Sequence, residues 1–355
     1  MTTTTSSPGI PESHFPTQLD GYLAAVCRGD RQEAIDIALA LLQTGLSAEA
    51  VVTDLLSRAQ AEIGLGWQDG RWGVAMEHRA SAITESVLQA VVHSALSAPG
   101  AVREGSRGRV VICCCESEWH VLPGRMAAEV LRLRGADVSF IGPSVPADEL
   151  AGFFGHDLPT AVAITCSMPM SLVGAWHSIS ALRAMGMTIV CGGRGFGRGG
   201  SWGLALGADH WAPDYAAGAD LLLSATGRPA PAPREPAGAA ERIAEVSVLG
   251  REHWRLLEEA NRVSSATWPT LRNSNGVIRE THEGLAATLR VVAAATLVSD
   301  LDLVTDYVSW CEAVLTVRDL PRALVPRAFE QILNVLPAEL SCARAVARFG
   351  ADACW

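Results

Sequence analysis

From Arg109 onward the chain alternates short apolar runs with amphipathic helical stretches, and that pattern leaves few folds open. Val110-Val111-Ile112-Cys113-Cys114 is apolar without alternation, as in a strand buried on both faces. A helix is expected over 123–134, a strand over 137–141, a helix from about 146, and a strand over 161–165. A helix over 172–185 and a strand over 188–191, ending in Gly192-Gly193, complete the series. Such a series builds an open parallel sheet, which holds its ligands at the carboxyl ends of the strands. His120, Ser167 and Gly192 all fall at those ends.

On either side the pattern is helical. Residues 1–16, rich in threonine, serine and proline, read as a flexible tail. Residues 17–98 read as four helices with short loops, a small bundle. Asp30 with Glu33 marks one helix start, Gly45 a stop, and Ser47 the start of a third helix running to about 63. The stretch 64–73, with four glycines, Trp67 and Trp72, reads as a turn, and a fourth helix covers 76–96. The sheet domain is expected over 106–225, a proline-rich linker over 226–239 and an all-helical domain over 240–355. Breaks in that last domain are expected at Trp268-Pro269, 273–276, Pro321 and Pro326.

The formal charge of −10 and the lack of a dense Lys/Arg stripe exclude a nucleic-acid surface. No apolar run approaches the roughly 20 residues of a membrane helix, and the N-terminus lacks the basic and apolar regions of a signal peptide. A cytoplasmic protein is expected. The nine cysteines contain no Cys-x-x-Cys pair. Cys113, Cys114 and Cys115 are consecutive, so neighbours point to opposite strand faces and serve as small hydrophobes rather than zinc ligands. The glycine-rich run 192–200 follows the fourth strand rather than the first, so it reads as a flexible loop and not as a dinucleotide fingerprint.

Two frames carry chemistry. Glu116-Ser-Glu118-Trp-His120-Val-Leu-Pro-Gly124 places an imidazole on the loop after the first strand, with a carboxylate two residues earlier to orient it. Trp67 is followed ten residues later by Glu77-His78. With Ser167 after the third strand and Gly192-Gly193 after the fourth, the first frame resembles the base-off, His-on cobalamin-binding fold. The resemblance implies that His120 is the lower axial ligand of cobalt and that Ser167, Gly192 and Gly193 line a slot for the displaced nucleotide tail. Glu118 stands where most such proteins carry aspartate, one methylene shorter.

The second frame resembles the cap of cobalamin photoreceptors related to light-responsive carotenoid-gene repressors. That resemblance implies adenosylcobalamin, with Trp67, Glu77 and His78 over its adenosyl group, and light-driven cleavage of the cobalt–carbon bond. In the repressors a histidine directly after the tryptophan then ligates cobalt. This chain has Gln68 there, so that photoadduct is not implied; either the nearby His78 substitutes or the final state differs. The DNA-binding winged helix of the repressors has no counterpart before the bundle.

A cobalamin photoreceptor followed by a helical domain resembles the photocobilins, which pair adenosylcobalamin with biliverdin in a globin- or phycobiliprotein-like domain. An open-chain tetrapyrrole needs arginines for its propionates, an acid or histidine near the pyrrole nitrogens, and aromatic rings. Trp268, His282, Asp306, Tyr307, Trp310, Arg318, Arg322 and Arg327 are the candidates; attachment through Cys311 or Cys342, or none, stays open. The expectation is a homo-oligomeric, non-catalytic light sensor acting on a partner protein. One rival is the corrinoid methyl carrier of a methyltransferase system. Another is a cobalamin sensor whose tail binds haem or no ligand.

Overall fold

The computed structural model describes residues 15–102, 108–154, 158–225, 238–267 and 275–352. Its N-terminal helices are α1 (Phe15–Arg28), α2 (Arg31–Gln43), α3 (Ala48–Ala50), a π-helical stretch (Val51–Leu56), α4 (Ser57–Gln68) and α5 (Val74–Leu96). Asp30 accepts the Glu33 amide at 3.0 Å and Ser47 accepts the Ala50 amide at 3.1 Å, so each start is set by a side-chain cap. Ala80, Ile83, Val87, Leu88 and Val91 form a buried stripe along α5 at helical spacing. The Tyr22 hydroxyl crosses to Thr84 Oγ1 at 3.1 Å, satisfying both polar groups inside that core.

One expectation is corrected here. The helical run from Ala48 does not stop near 63 but continues to Gln68, so Trp67 stands on the last turn of a helix rather than in a loop. One of the glycines that suggested a break has a packing role: a Cβ on Gly66 would lie 2.9 Å from the Trp72 ring. The indole of Trp72 therefore rests on bare helix backbone.

The central sheet is β1 (Arg109–Cys114), β2 (Asp137–Gly142), β3 (Ala161–Thr165), β4 (Ile189–Gly192) and β5 (His210–Ala212), in spatial order β2-β1-β3-β4-β5 with every pairing parallel. Between them run α6 (Val121–Leu133), α7 (Ala147–Phe154), α8 (Leu172–Ala184) and α9 (Ser201–Ala205), and α10 (Tyr215–Ser224) follows. This is a Rossmann-like parallel sheet, one strand larger than the sequence suggested. The order reverses between β1 and β3, so the loops after those two strands flank the crevice where such sheets bind ligands. The loop 193–200 is a second correction. It folds into two 3-10 turns (Arg194–Phe196 and Arg198–Gly200), with Phe196 fully buried.

The sheet separates two cores by strand parity. Val110, Ile112, Ala161 and Ala163 pack with α6, α10 and the N-terminal helices. Val111, Cys113, Val162, Ile164 and Cys191 face the other way and share a core with α8 and the C-terminal helices. Those helices are α11 (Ala239–Arg251), α12 (His253–Thr267), α13 (Asn275–Val298), α14 (Asp302–Val317), α15 (Leu324–Val335) and α16 (Ser341–Asp352). α13 packs against α11, α12, α14, α15 and α16 and also touches α8 and the turn Pro169–Ser171 below β3. Trp202 Nε1 donates to Asp300 Oδ2 at 2.8 Å, a polar tie across the same junction.

The expected break at Pro321 lies between α14 and α15. Pro326, however, sits in the first turn of α15, where the missing amide would have no helical partner in any case. Asn275 and Gly276 likewise belong to α13 rather than to a break. The expectation at Trp268-Pro269 lies outside the described residues.

Candidate cobalamin site

β1 ends at Cys114, and a short loop carries the chain to α6, whose N-cap is His120. That loop is held in uncommon backbone conformations. Ser117 has φ 67° and Ser144, in the loop after β2, has φ 48°. The two loops are tied by the Ser117 amide donating to Ser144 Oγ at 3.1 Å and the Ser144 amide donating to the Glu118 carbonyl at 2.9 Å. Backbone held this way is commonly found where a site must be pre-organised.

Glu118 is 1 % exposed, and four N–H groups converge on its carboxylate. Oε1 accepts the His120 amide at 2.8 Å and the His120 ring at Nδ1 at 2.6 Å; Oε2 accepts the amides of Ser167 at 2.5 Å and Met168 at 3.2 Å. Burial works against ionising Glu118, but the bonds and charge of His120 and the Ser167 amide outweigh it and hold the carboxyl below its usual range. Glu118 thus ties the loops after β1 and β3 together across the strand-order reversal and, as a carboxylate, accepts a hydrogen bond from Nδ1–H. The tautomer follows: Nε2 is left as the free lone pair. The His120 side chain is 58 % exposed, so that nitrogen can meet a ligand.

The bond from Glu118 raises the His120 pKa above its ordinary value; burial opposes the rise, and the charges of Glu118 and Glu77 add to it. Glu77 stands in the first turn of α5. Glu77 is itself bound, with Oε1 accepting Ser81 Oγ at 2.7 Å and Oε2 lying 2.5 Å from His78 Nδ1. Gln60 of α4 donates to Ser81 Oγ at 2.5 Å, linking the two helices behind it. The His78 ring is 74 % exposed.

The glycines divide into two kinds. A Cβ on Gly124 would lie 3.1 Å from Phe140 and 3.2 Å from Thr165 Oγ1, so this residue lets α6 approach the sheet. Gly193 has φ 108°, and a Cβ there would meet the Cys166 carbonyl at 2.3 Å. At Gly192, in contrast, a Cβ would have no atom within 4 Å. Its missing side chain serves no packing purpose and keeps the space above the strand end open, as a ligand cradle requires. Beyond it lies a cleft of about 370 Å³ bordered by Gly193, Arg194, Arg198, Trp202, Trp211 and Asp306. An exposed imidazole with a buried orienting carboxylate, and a side-chain-free strand end on the same sheet, suit a flat metallocofactor with an appended tail.

Glu116 stands apart from this set: its carboxylate lies 3.2 Å from His177 Nδ1 on α8, away from His120. α8 comes this close because Gly174 has no side chain, since a Cβ there would lie 1.9 Å from the Glu116 carbonyl.

The remaining candidates are scattered. Tyr307 and Trp310 stack on α14 with centroids 6.5 Å apart, and Trp310 continues to Trp67 at 6.1 Å. The Arg318 guanidinium lies 4.8 Å from the Trp67 ring centroid. Asp306 borders the cleft beside Gly193, Arg322 donates to Thr316 Oγ1 at 3.0 Å, and Arg327 is exposed on α15. Burial pushes the Cys311 thiol up to about 12, a poor nucleophile at neutral pH; burial raises that of Cys342 too. Trp268 and the side chain of His282 lie outside the described residues. Sequence spacing could not show that Trp310 and Arg318 gather beside Trp67.

A model of the B12 binding domain family matches residues 18–91. The chain carries a B12-binding domain. The match covers the helices that present Trp67, Glu77 and His78 and supports a corrinoid as the cofactor. Among solved structures, the monomethylamine corrinoid protein of Methanosarcina barkeri is 16% identical with a TM-score of 0.50, covering 59% of this chain and 98% of that one. The likeness is one of fold, over rather more than half of this chain. A cobalamin-binding protein from Desulfitobacterium hafniense DCB-2 is 15% identical, covers 57% and 96%, and superposes with a TM-score of 0.32. A methanol:cobalamin methyltransferase complex from Methanosarcina barkeri is 16% identical, covers 63% and 88%, and has a TM-score of 0.31. No curated protein matches the chain. Among the described residues no helix is long and apolar enough to cross a membrane.

Proposed function

We propose that this B12-binding protein is a cytoplasmic light sensor that holds adenosylcobalamin between its N-terminal helices and the sheet crevice, and biliverdin in a globin-like C-terminal domain. The observation that carries the reading is the orientation of His120. Its Nδ1 is committed to a buried glutamate, while the side chain as a whole is 58 % exposed and leaves Nε2 for a ligand.

In this reading His120 supplies the lower axial nitrogen. Glu118 keeps the donor proton on Nδ1, while Ser167, Gly192 and Gly193 leave room for the nucleotide tail. Trp67, Glu77 and His78 cover the upper face and exclude water from it. When bound, adenosylcobalamin supplies a cobalt–carbon bond that visible light breaks. Once the cover is no longer needed, Trp67, Glu77 and His78 are free to rearrange, and the packing of the helices on the sheet changes. That change, in domain packing or in oligomer state, is what a partner protein would read.

The test is spectroscopic. Purified protein loaded with adenosylcobalamin in the dark should change its visible spectrum irreversibly under green light, and a far-red band should appear after co-production with biliverdin. A spectrum that light leaves unaltered would remove the photoreceptor; a Soret band in place of the far-red one would assign the C-terminal helices to haem.

A second reading, a corrinoid methyl carrier, is favoured by the likeness to the monomethylamine corrinoid protein. It predicts tight binding of methylcobalamin and methyl transfer to a partner in the dark, unaffected by substitution of Trp67.

A further inference from the structure

The described ring contacts of Trp67 come from α14 and the residue that caps it, none from the N-terminal helices that carry it. Trp310 lies 6.1 Å away at an interplanar angle of 28°, and the Arg318 guanidinium lies 4.8 Å from the ring centroid. Arg318 Nη2 also donates to the Trp67 carbonyl at 3.2 Å, one of the last carbonyls of α4, which accepts the Gly70 amide at 3.2 Å as well. Nη1 donates to the Val314 carbonyl at 3.1 Å, so the guanidinium is oriented by its own helix before it reaches across. The next turn is shaped to admit this approach. Gly70 has φ 75°, and a Cβ there would meet Val317 Cγ1 at 2.4 Å.

We propose that Arg318 is a positioning residue for Trp67, setting from the C-terminal helices the pose of the indole that covers the cofactor's upper face, and that Trp310 makes α14 sensitive to that pose. The inference rests on the reading of Trp67 as that cover. The coupling is reciprocal by thermodynamic necessity. If docking of α14 presets the indole, it favours an upper ligand that the indole can cover; an upper ligand that displaces the indole loosens α14. A single residue then belongs to both the cofactor site and the domain junction. Arginine suits the task because its planar cation can lie over an aromatic face while its edge donates hydrogen bonds, which lysine cannot do together.

The experiment titrates full-length wild-type protein, R318A, R318K and W67A with adenosylcobalamin and with hydroxocobalamin in the dark. Hydrogen exchange is followed over 67–73 and 302–319. R318A should weaken adenosylcobalamin binding about tenfold, the scale of a partly buried cation–π contact, and leave hydroxocobalamin within about twofold. R318K should recover only part of the loss. R318A combined with W67A should be no worse than W67A alone. Exchange over 302–319 should change when adenosylcobalamin binds and not when hydroxocobalamin does.

An equal loss for both cobalamins, a tightening, or full additivity with W67A would overturn the proposal. If wild-type protein binds neither cobalamin, the cofactor reading fails on its own. The positioning contact then stands or falls on whether R318A, checked for native far-UV circular dichroism, speeds exchange over 67–73 in the free protein.

Discussion

At the scale of single residues, Glu118 decides what His120 can do. Its buried carboxylate raises the histidine's pKa, so in the free protein a proton on Nε2 competes with metal at a higher pH than for an ordinary imidazole. Binding through His120 should therefore fade as pH falls through that raised value. Glu118→Gln keeps an acceptor near Nδ1 but removes the charge, so the midpoint should move to lower pH. Affinity at neutral pH should drop about 10–100-fold with the orienting bond weakened. The pH at which the His-on visible spectrum half-converts measures both, and an unmoved midpoint would show that Glu118 does not govern the ligand. The same pair has an opposite signature in the free fold. Because the histidine value is raised on folding, its stabilising contribution is complete below the ordinary histidine value and is lost as pH rises through the raised one. His120→Ala should leave cobalamin base-on or unbound; a visible spectrum identical to wild type would refute the ligand assignment.

At the scale of elements, the turn after β4 rests on one position. Gly193 combines a positive φ with a Cβ position 2.3 Å from the Cys166 carbonyl. Gly193→Ala should cost about 1–3 kcal/mol in urea denaturation through strain and overpacking. Gly192→Ala, which meets nothing, should leave stability nearly intact and weaken cobalamin binding instead. Equal effects of the two substitutions would cancel the distinction. What could be read in advance follows the range of the forces involved. β1 and β3 were legible because burial on both faces leaves a continuous apolar run, and Glu118-Trp119-His120 because its partners are two residues apart. β5 was not, because His210-Trp211-Ala212 is a three-residue, half-exposed edge strand with no such signature. Gly64 and Gly66 signal a stop locally, and the role of Gly66 shows only once the Trp72 ring is seen packed on its bare backbone. Arg318 and Trp67 lie 251 positions apart, and no local periodicity reports such a pair.

At the scale of the whole molecule, the sheet is the shared wall of two cores. Alternate residues of β1 and β3 enter a core with the N-terminal helices, and the residues between them enter a core with the C-terminal helices. Neither core can dissolve without exposing one face of a sheet that is apolar on both, so the two should melt together. Phe329 tests this from within the C-terminal core. It is fully buried in α15, and Gly350 of α16 packs so closely that a Cβ there would lie 2.4 Å from its ring. Phe329→Ala should cost about 3–5 kcal/mol. If the cores are coupled, that loss lowers one common urea midpoint, read alike by far-UV circular dichroism and by tryptophan fluorescence. Adenosylcobalamin at about 100 times its Kd should then return about 2.7 kcal/mol of it to the entire transition. An early, separate loss of helical signal, with cobalamin still bound through His120, would show instead that the C-terminal helices unfold independently of the sheet. The junction at Trp67 would then be too weak to carry a signal in either direction.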